Sequence, residues 1–272
     1  MKRKSTLNLF DITAIIIAAA IAFFIISALL TIVLGGAPYL KKALLSDEIR
    51  HAILLSIYTA SVSTVICVIL AVPAAYALTR TSLPFKKTLQ IIIELPLSLP
   101  YLVLGLCLLI VFSSDFGRAL KDLGLKVVFD KNGIIMAQIF VNLPFAVHLM
   151  RAAIDLVDAR LEFIAGSLGA SRLERFTTIT LPLCLSSVLM MVILVWSRAL
   201  GEFGATLMLV GVTRMKTETL PASIYLNIST GDNGMAMAAA IIILIIAAVS
   251  LTITTVLRKY TGIKSRISEV VL

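Results

Sequence analysis

A chain of 272 residues that is 60% hydrophobic and 14% charged, with a formal charge of +9 and a mean hydropathy of +1.05, is too apolar for a water-soluble domain and needs lipid as part of its solvent. The positive charge does not mark a nucleic-acid binder, because the basic residues are scattered between apolar runs and form no continuous stripe with interleaved aromatics. Cys67, Cys107 and Cys184 each sit in apolar stretches without disulfide or metal-ligand spacing, so they read as small buried hydrophobes.

A membrane-spanning helix takes about 20 mostly apolar residues. Met1-Lys2-Arg3-Lys4 leads into an apolar run from Ile12 to Leu34 that is too long for a signal-peptide core and lacks a small-residue cleavage site, so an uncleaved first span is expected. Further apolar segments follow at 52–79, 88–113, 134–150, 183–210 and 235–257, the fourth of the six being the shortest. The expected fold is an all-α polytopic membrane protein with six transmembrane helices, one transmembrane domain over residues 1–272. Pro73, Pro96, Pro100 and Pro144 fall inside these segments, where neighbours or water can satisfy the freed carbonyls, and they predict kinked helices. Placing the N-terminus in the cytoplasm puts 14 of the 24 basic residues on the inner side: Lys2, Arg3, Lys4, Arg80, Lys86, Lys87, Arg151, Arg160, Arg172, Arg175, Arg258, Lys259, Lys264 and Arg266. Both termini are therefore expected to be cytoplasmic in a multi-pass membrane protein.

Between the fourth and fifth segments, residues 151–182 form a polar stretch too long for a bare loop. Asp158 is placed to cap a short helix through Ala165 and Leu168, and Gly169 offers the backbone freedom to end it. Ser171 and Glu174 have the spacing of a capping box, which starts a second short helix through Phe176 and Ile179. Pro182 stands where a proline can open the next helix. The predicted object is helix, tight turn, helix.

This stretch resembles the EAA loop of ABC importer permeases, in which Glu-Ala-Ala, three residues, Gly, nine residues and Ile-x-Leu-Pro recur. Gly169, Ile179, Leu181 and Pro182 match at the family spacing, as do Ala165 and the run Leu168-Gly169-Ala170-Ser171. The sequence departs from the pattern where Phe163 replaces the family's Glu and Ile164 its first Ala, with Glu162 one residue early. The resemblance implies that the loop, about 155–182, forms cytoplasmic coupling helices seated on an ATPase subunit. Glu162, Ala165, Leu168, Gly169, Ala170, Ser171, Arg172 and Leu173 are then the coupling residues. It further implies a homodimer with two ABC ATPase subunits inside and an oxyanion-binding protein outside. No phosphate-binding loop G-x-x-x-x-G-K-[ST] occurs, so this chain is expected to bind no cofactor, to be no enzyme, and to leave ATP and Mg to the partner ATPase.

Trp196 through Gly211, followed by Thr219-Leu-Pro221-Ala-Ser-Ile-Tyr225, is similar to the fifth span and outer loop of molybdate and tungstate permeases, and Glu94-Leu-Pro96-Leu-Ser-Leu-Pro100 fits the same group. Sulfate permeases are similar too, but generally carry Tyr-Gly-Ser where this chain has Phe203-Gly204-Ala205; Val212 replaces a frequent Asn. The resemblance spans roughly residues 50–258 and implies import of molybdate or tungstate, with sulfate or thiosulfate as the alternative cargo.

Candidate pathway residues follow from polar groups inside apolar segments. Arg198 and Glu202 are four apart and so are expected on one helix face, about 24 and 30 Å from Pro182. They read either as an outer gate, with Arg198 meeting the dianion, or as an ion pair that fixes packing. Glu94 is a pathway group or a carboxylate at interfacial water. Ser56, Thr59 and Ser63 share a helix face and mark close helix packing or a translocation wall. His51 and His148 have no catalytic or metal partner at a recognisable spacing and read as structural. An ion-coupled transporter needs repeats or an acid relay, and a membrane enzyme needs a nucleophile and base; neither pattern is present.

Overall fold

The computed structural model describes residues 8–260, all of whose regular elements are helical. The expectations for Lys2, Arg3, Lys4, Lys264 and Arg266 lie outside the described residues. In chain order the helices are α1 (Leu9–Gly36), α2 (Leu40–Leu45), α3 (Asp47–Arg80), α4 (Lys86–Glu94), α5 (Tyr101–Ser113), α6 (Asp115–Asp122), α7 (Lys131–Asp155), α8 (Ala159–Ser167), α9 (Arg172–Arg175), α10 (Leu181–Leu200), α11 (Gly204–Val210), α12 (Leu220–Ser229) and α13 (Asn233–Tyr260).

Five stretches are long and apolar enough to cross a membrane: Leu9–Leu45, Asp47–Arg80, Lys131–Asp155, Arg172–Leu200 and Asn233–Ile253. The third expected span is not one helix. α4 continues as a 3-10 turn over Leu95–Ser98, and the chain then bends by 113° into α5. Pro100 causes the break: Leu99 before it is forced into extended backbone (φ −97, ψ 144), where no helix can continue. Pro73 and Pro144, by contrast, lie inside the unbroken α3 and α7. Their lost hydrogen bonds do not stop helices of 34 and 25 residues that neighbours hold in place.

The fifth expected segment, 183–210, is also corrected at both ends. Its helix starts earlier, because α9 runs through a π-helical turn at Phe176–Thr180 into α10, giving one continuous 29-residue stretch from Arg172. Pro182 therefore sits within a helix, just beyond the widened turn. A π turn spaces successive rungs farther apart and so accommodates a residue that has no N–H and whose ring crowds the preceding turn. The helix stops at Leu200; Gly201 and Glu202 lead to Phe203, which is out of helical geometry (φ −136, ψ −43), and α11 begins anew.

Helices α3, α7 and α10 form the centre. Cys67, Ala71 and Ala75 of α3 are fully buried against Ala146, Val147, Met150 and Ile154 of α7 and Cys184, Met191 and Val195 of α10. Small side chains let the backbones approach, which inside lipid is a main source of helix association. Gly36 at the end of α1 meets the start of α13, where an added Cβ would lie 2.7 Å from the Met237 backbone. The rest of α1 buries nothing and presents Ile, Leu and Phe to its surroundings, as a lipid-facing span must. Cys67 and Cys184 are buried as expected; Cys107 is exposed.

Candidate functional site

The first candidate region is the hairpin between α7 and α10. Asp158 caps α8, its carboxylate accepting from the Arg160 N–H at 2.9 Å. Gly169 takes φ +93, a conformation that a side chain would strain. Ser171 and Glu174 then complete a capping box, with the Ser171 N–H donating to Glu174 Oε2 at 2.7 Å and the Glu174 N–H to Ser171 Oγ at 3.3 Å. Helix, turn and helix are thus as expected, except that the second helix is continuous with the span.

The two faces of α8 differ. Phe163, Leu168 and Leu173 are 74%, 83% and 71% exposed, an apolar crest on a polar hairpin. Ala165 and Ala170 are half-buried, and Ser171 and Arg172 are exposed beside that crest. Glu162, grouped with them in the sequence, points the other way and is only 8% exposed. Its carboxylate accepts from Tyr76 Oη at 3.4 Å and from the Thr180 hydroxyl, and pairs with Arg80 at 3.3 Å. Arg80 in turn donates to the carbonyls of Ile154 and Val157 just where α7 ends. One carboxylate therefore pins the hairpin to the ends of α3 and α7 and to the π turn that leads into α10. The expectation that Glu162 faces a partner is corrected: its acidic group is used inward. Tyr76, Arg80 and Thr180 escaped the sequence reading because they lie up to 86 residues away; only a lone basic residue at the end of a long apolar run hinted at Arg80.

The second region lies at the opposite end of α10. Arg198 and Glu202 do not pair, which corrects the expectation of one shared helix face. The helix ends between them, and Glu202 folds over the start of α11, accepting from the Ala205 N–H at 2.8 Å, the Thr206 N–H at 3.1 Å and the Thr206 hydroxyl. Free N–H groups at a helix start are where a carboxylate is most stabilised. Glu202 is 3% exposed and is a structural cap. Arg198 instead donates from Nε to Asn142 Oδ1 at 3.2 Å and from Nη2 to Tyr101 Oη at 2.7 Å, with its guanidinium 4.5 Å from the Phe145 ring centroid.

The remaining candidates do not join Arg198. Glu94 meets Arg151 at 2.6 Å and His148 at 3.4 Å, so His148 does have an acidic neighbour that spacing could not reveal. Ser56, Thr59 and Ser63 are buried within α3. Ser56 accepts from the Leu220 N–H at 2.8 Å and Thr59 from Gln138 Nε2 at 3.3 Å, while Ser63 bonds to its own helix, so all three serve packing. Gln138 and Asn142, four apart on α7, were missed; two amides one turn apart in an apolar segment were the available signal. Among the described residues, no group of three or more His, Cys, Asp or Glu could hold a metal ion.

Residues 67–261 match the family described as binding-protein-dependent transport system inner membrane component. The molybdenum transport system permease protein of Mycobacterium bovis is 39% identical over 201 residues, 73% of this chain and 76% of that protein. The Escherichia coli K12 protein of the same name is 35% identical, covering 78% and 94%, and the molybdate/tungstate transport system permease protein of Thermococcus kodakarensis is 33% identical, covering 76% and 79%. In three dimensions the chain is similar to a bacterial alginate ABC transporter solved with an alginate pentasaccharide-bound periplasmic protein, with TM-score 0.71 and 20% identity over 93% of this chain and 94% of that one. At that identity the likeness concerns the fold.

Proposed function

Because the chain belongs to the family of binding-protein-dependent transport system inner membrane components, we propose that it is the permease subunit of an ATP-driven importer that carries molybdate or tungstate. Relatives named for those anions support the cargo, and Phe203-Gly204-Ala205 in place of Tyr-Gly-Ser favours it over sulfate. The permease works as a homodimer, with its termini and the α8–α9 hairpin in the cytoplasm, and the excess of basic residues at that end supports this orientation. Two ATPase subunits bind ATP and Mg and perform the hydrolysis, and an external binding protein delivers the anion.

The observation that carries this reading is the two-faced hairpin. Its apolar crest of Phe163, Leu168 and Leu173 suits a groove on the ATPase, while the inward Glu162 ties the same helix to α3 and to the π turn before α10, and through Arg80 to the end of α7. ATP-driven closure of the ATPases pushes on the crest, and the pinned helix passes the displacement to α3, α7 and α10 as a rigid-body movement. Ala165, Gly169, Ala170, Ser171 and Arg172 shape and cap this lever.

The test is reconstitution of the permease with its ATPase and binding protein in proteoliposomes. ATP-dependent uptake of radiolabelled molybdate is expected, blocked by excess tungstate and little affected by equal sulfate. Uptake driven by an ion gradient without ATP, or uptake of sulfate alone, contradicts the proposal.

Gly169→Val gives a second expectation. A Cβ there meets nothing within 4 Å, so the whole effect comes from forcing a β-branched residue to φ +93. The turn distorts, at a cost of about 1–3 kcal/mol. The protein should still assemble in the membrane while ATP-driven uptake falls, measured as molybdate imported per ATP hydrolysed.

A further inference from the structure

Among the described residues, the break after Leu200 leaves Arg198 without an acidic partner. Glu202, the acid closest to Arg198 in sequence, is committed to the α11 start. The ion pairs among the described residues join Asp47 to Arg50, Glu162 to Arg80, Asp115 to Arg118, Glu94 to His148 and Arg151, and Glu48 to Arg214; none includes Arg198. The partners of Arg198 are an amide oxygen, a phenol oxygen and a ring face, all neutral. A guanidinium within a membrane bundle is costly to keep, and one kept without a counter-ion marks a place where an anion belongs.

The surroundings hold this group in place. Asn142 is 1% exposed and donates its Nδ2 to the Gln138 carbonyl at 2.8 Å, which turns Oδ1 toward Arg198 Nε. Tyr101 begins α5 directly after the 113° break, and its ring stands half in the open. Its oxygen accepts from Arg198, so its own hydrogen remains free to donate. The two bonds use two of the five guanidinium N–H groups. What is left, a planar cationic fork beside an O–H donor, matches two oxygens of a tetrahedral oxyanion.

We propose that Arg198, held by Asn142 and flanked by Tyr101, is a transient binding station for the oxyanion on its way through the membrane. This deepens the importer reading and rests on it. One guanidinium does not neutralise a dianion, so the station binds weakly enough to release, as conduction requires. The break in the third span is part of the device, since it brings the Tyr101 hydroxyl to the guanidinium.

The experiment uses the complete transporter in proteoliposomes, with radiolabelled molybdate and simultaneous measurement of ATP hydrolysis. R198Q should hydrolyse ATP when the loaded binding protein is present, yet import about tenfold less molybdate per ATP, the loss expected when one charged contact is removed. R198K, which keeps the charge but loses the fork, should retain about a third of the wild-type ratio. Y101F should lower it about threefold, the effect of one hydrogen bond. A wild-type ratio in R198Q overturns the proposal, as does a parallel loss of hydrolysis and uptake in R198Q and R198K alike, which marks a packing role. If R198Q does not assemble, Y101F decides, and an unchanged ratio overturns the proposal. A wild-type transporter that carries none of molybdate, tungstate and sulfate defeats the importer reading and this inference together; normal wild-type import with an indifferent R198Q defeats this inference alone.

Discussion

Glu162→Ala is expected to abolish ATP-driven uptake while leaving the exposed crest of the hairpin chemically unchanged. The substitution strands the Arg80 guanidinium, whose side chain is 14% exposed, and removes the acceptor of two hydroxyl donors, Tyr76 and Thr180. Breaking a buried ion pair from one side costs about 3–5 kcal/mol, mostly for the charge left behind. That energy is lost locally, where α8 joins the ends of three spans, so the hairpin should loosen before the bundle does. The ATPase is still able to dock on Phe163, Leu168 and Leu173, and hydrolysis should continue without import. Glu162→Gln removes the charge but keeps one acceptor: Tyr76 and Thr180 donate to different carboxylate oxygens, so the amide oxygen can serve one of them while the amide N–H can donate to the other hydroxyl oxygen, and the variant should retain a measurable part of the uptake. The check is molybdate imported per ATP for both variants, and equal values for both would mean that the ion pair with Arg80 carries the whole effect.

Gly105→Leu is expected to destabilise the membrane bundle itself rather than the hairpin. The α5 backbone at Gly105 packs so closely on α11 that a bare Cβ would lie 2.6 Å from the Ala205 carbonyl oxygen and 2.7 Å from its Cα. Backbone atoms cannot rotate out of the way as a side-chain tip can, so α5 and α11 must separate. Overpacking of this kind costs about 1–3 kcal/mol or more, and here it pries at one buried cluster, in which Leu104 and Leu108 of α5 pack with Ala205 and Leu209 of α11 and with Ile134, Ala137 and Val141 of α7. The expected result is a lower melting temperature of the detergent-solubilised protein and loss of the Tyr101 position, measured by thermal unfolding and by uptake. Gly124→Ala is the useful contrast, because a Cβ there meets nothing within 4 Å and only the backbone strain of a side chain at φ +93 remains, about 1–2 kcal/mol with no helix pair forced apart.

What could be read from the sequence divides along the distance over which each feature is determined. The caps and the turn of the hairpin were legible, since Asp158, Ser171 and Glu174 act on neighbours two or three positions away and Gly169 acts on its own backbone; the run of its second helix into the span was not. Six apolar segments were legible because hydropathy sums over a window. The two breaks were not: Pro100 signalled a kink but not a 113° turn, and Gly201, Glu202 and Gly204, which mark the end of α10, interrupt the apolar run too briefly to separate two segments in a hydropathy window. The false Arg198–Glu202 pair follows from that one missed break, because the four-residue rule holds only within a single helix. The true partners, Asn142 for Arg198 and Arg80 for Glu162, are 56 and 82 residues away in the chain, where spacing carries no information.

The hairpin's contact with the ATPase is the claim on which import by this mechanism depends, and site-specific cross-linking tests it most directly. With the other cysteines replaced, single cysteines at Leu168 and at Leu173 should cross-link to the ATPase in the assembled transporter, more strongly with ATP bound, while a cysteine at the buried Val157 position before the hairpin should not. Cross-links from the 157 position but none from 168 or 173, or labelling of 168 by a membrane-impermeant reagent added outside intact cells, would contradict the account.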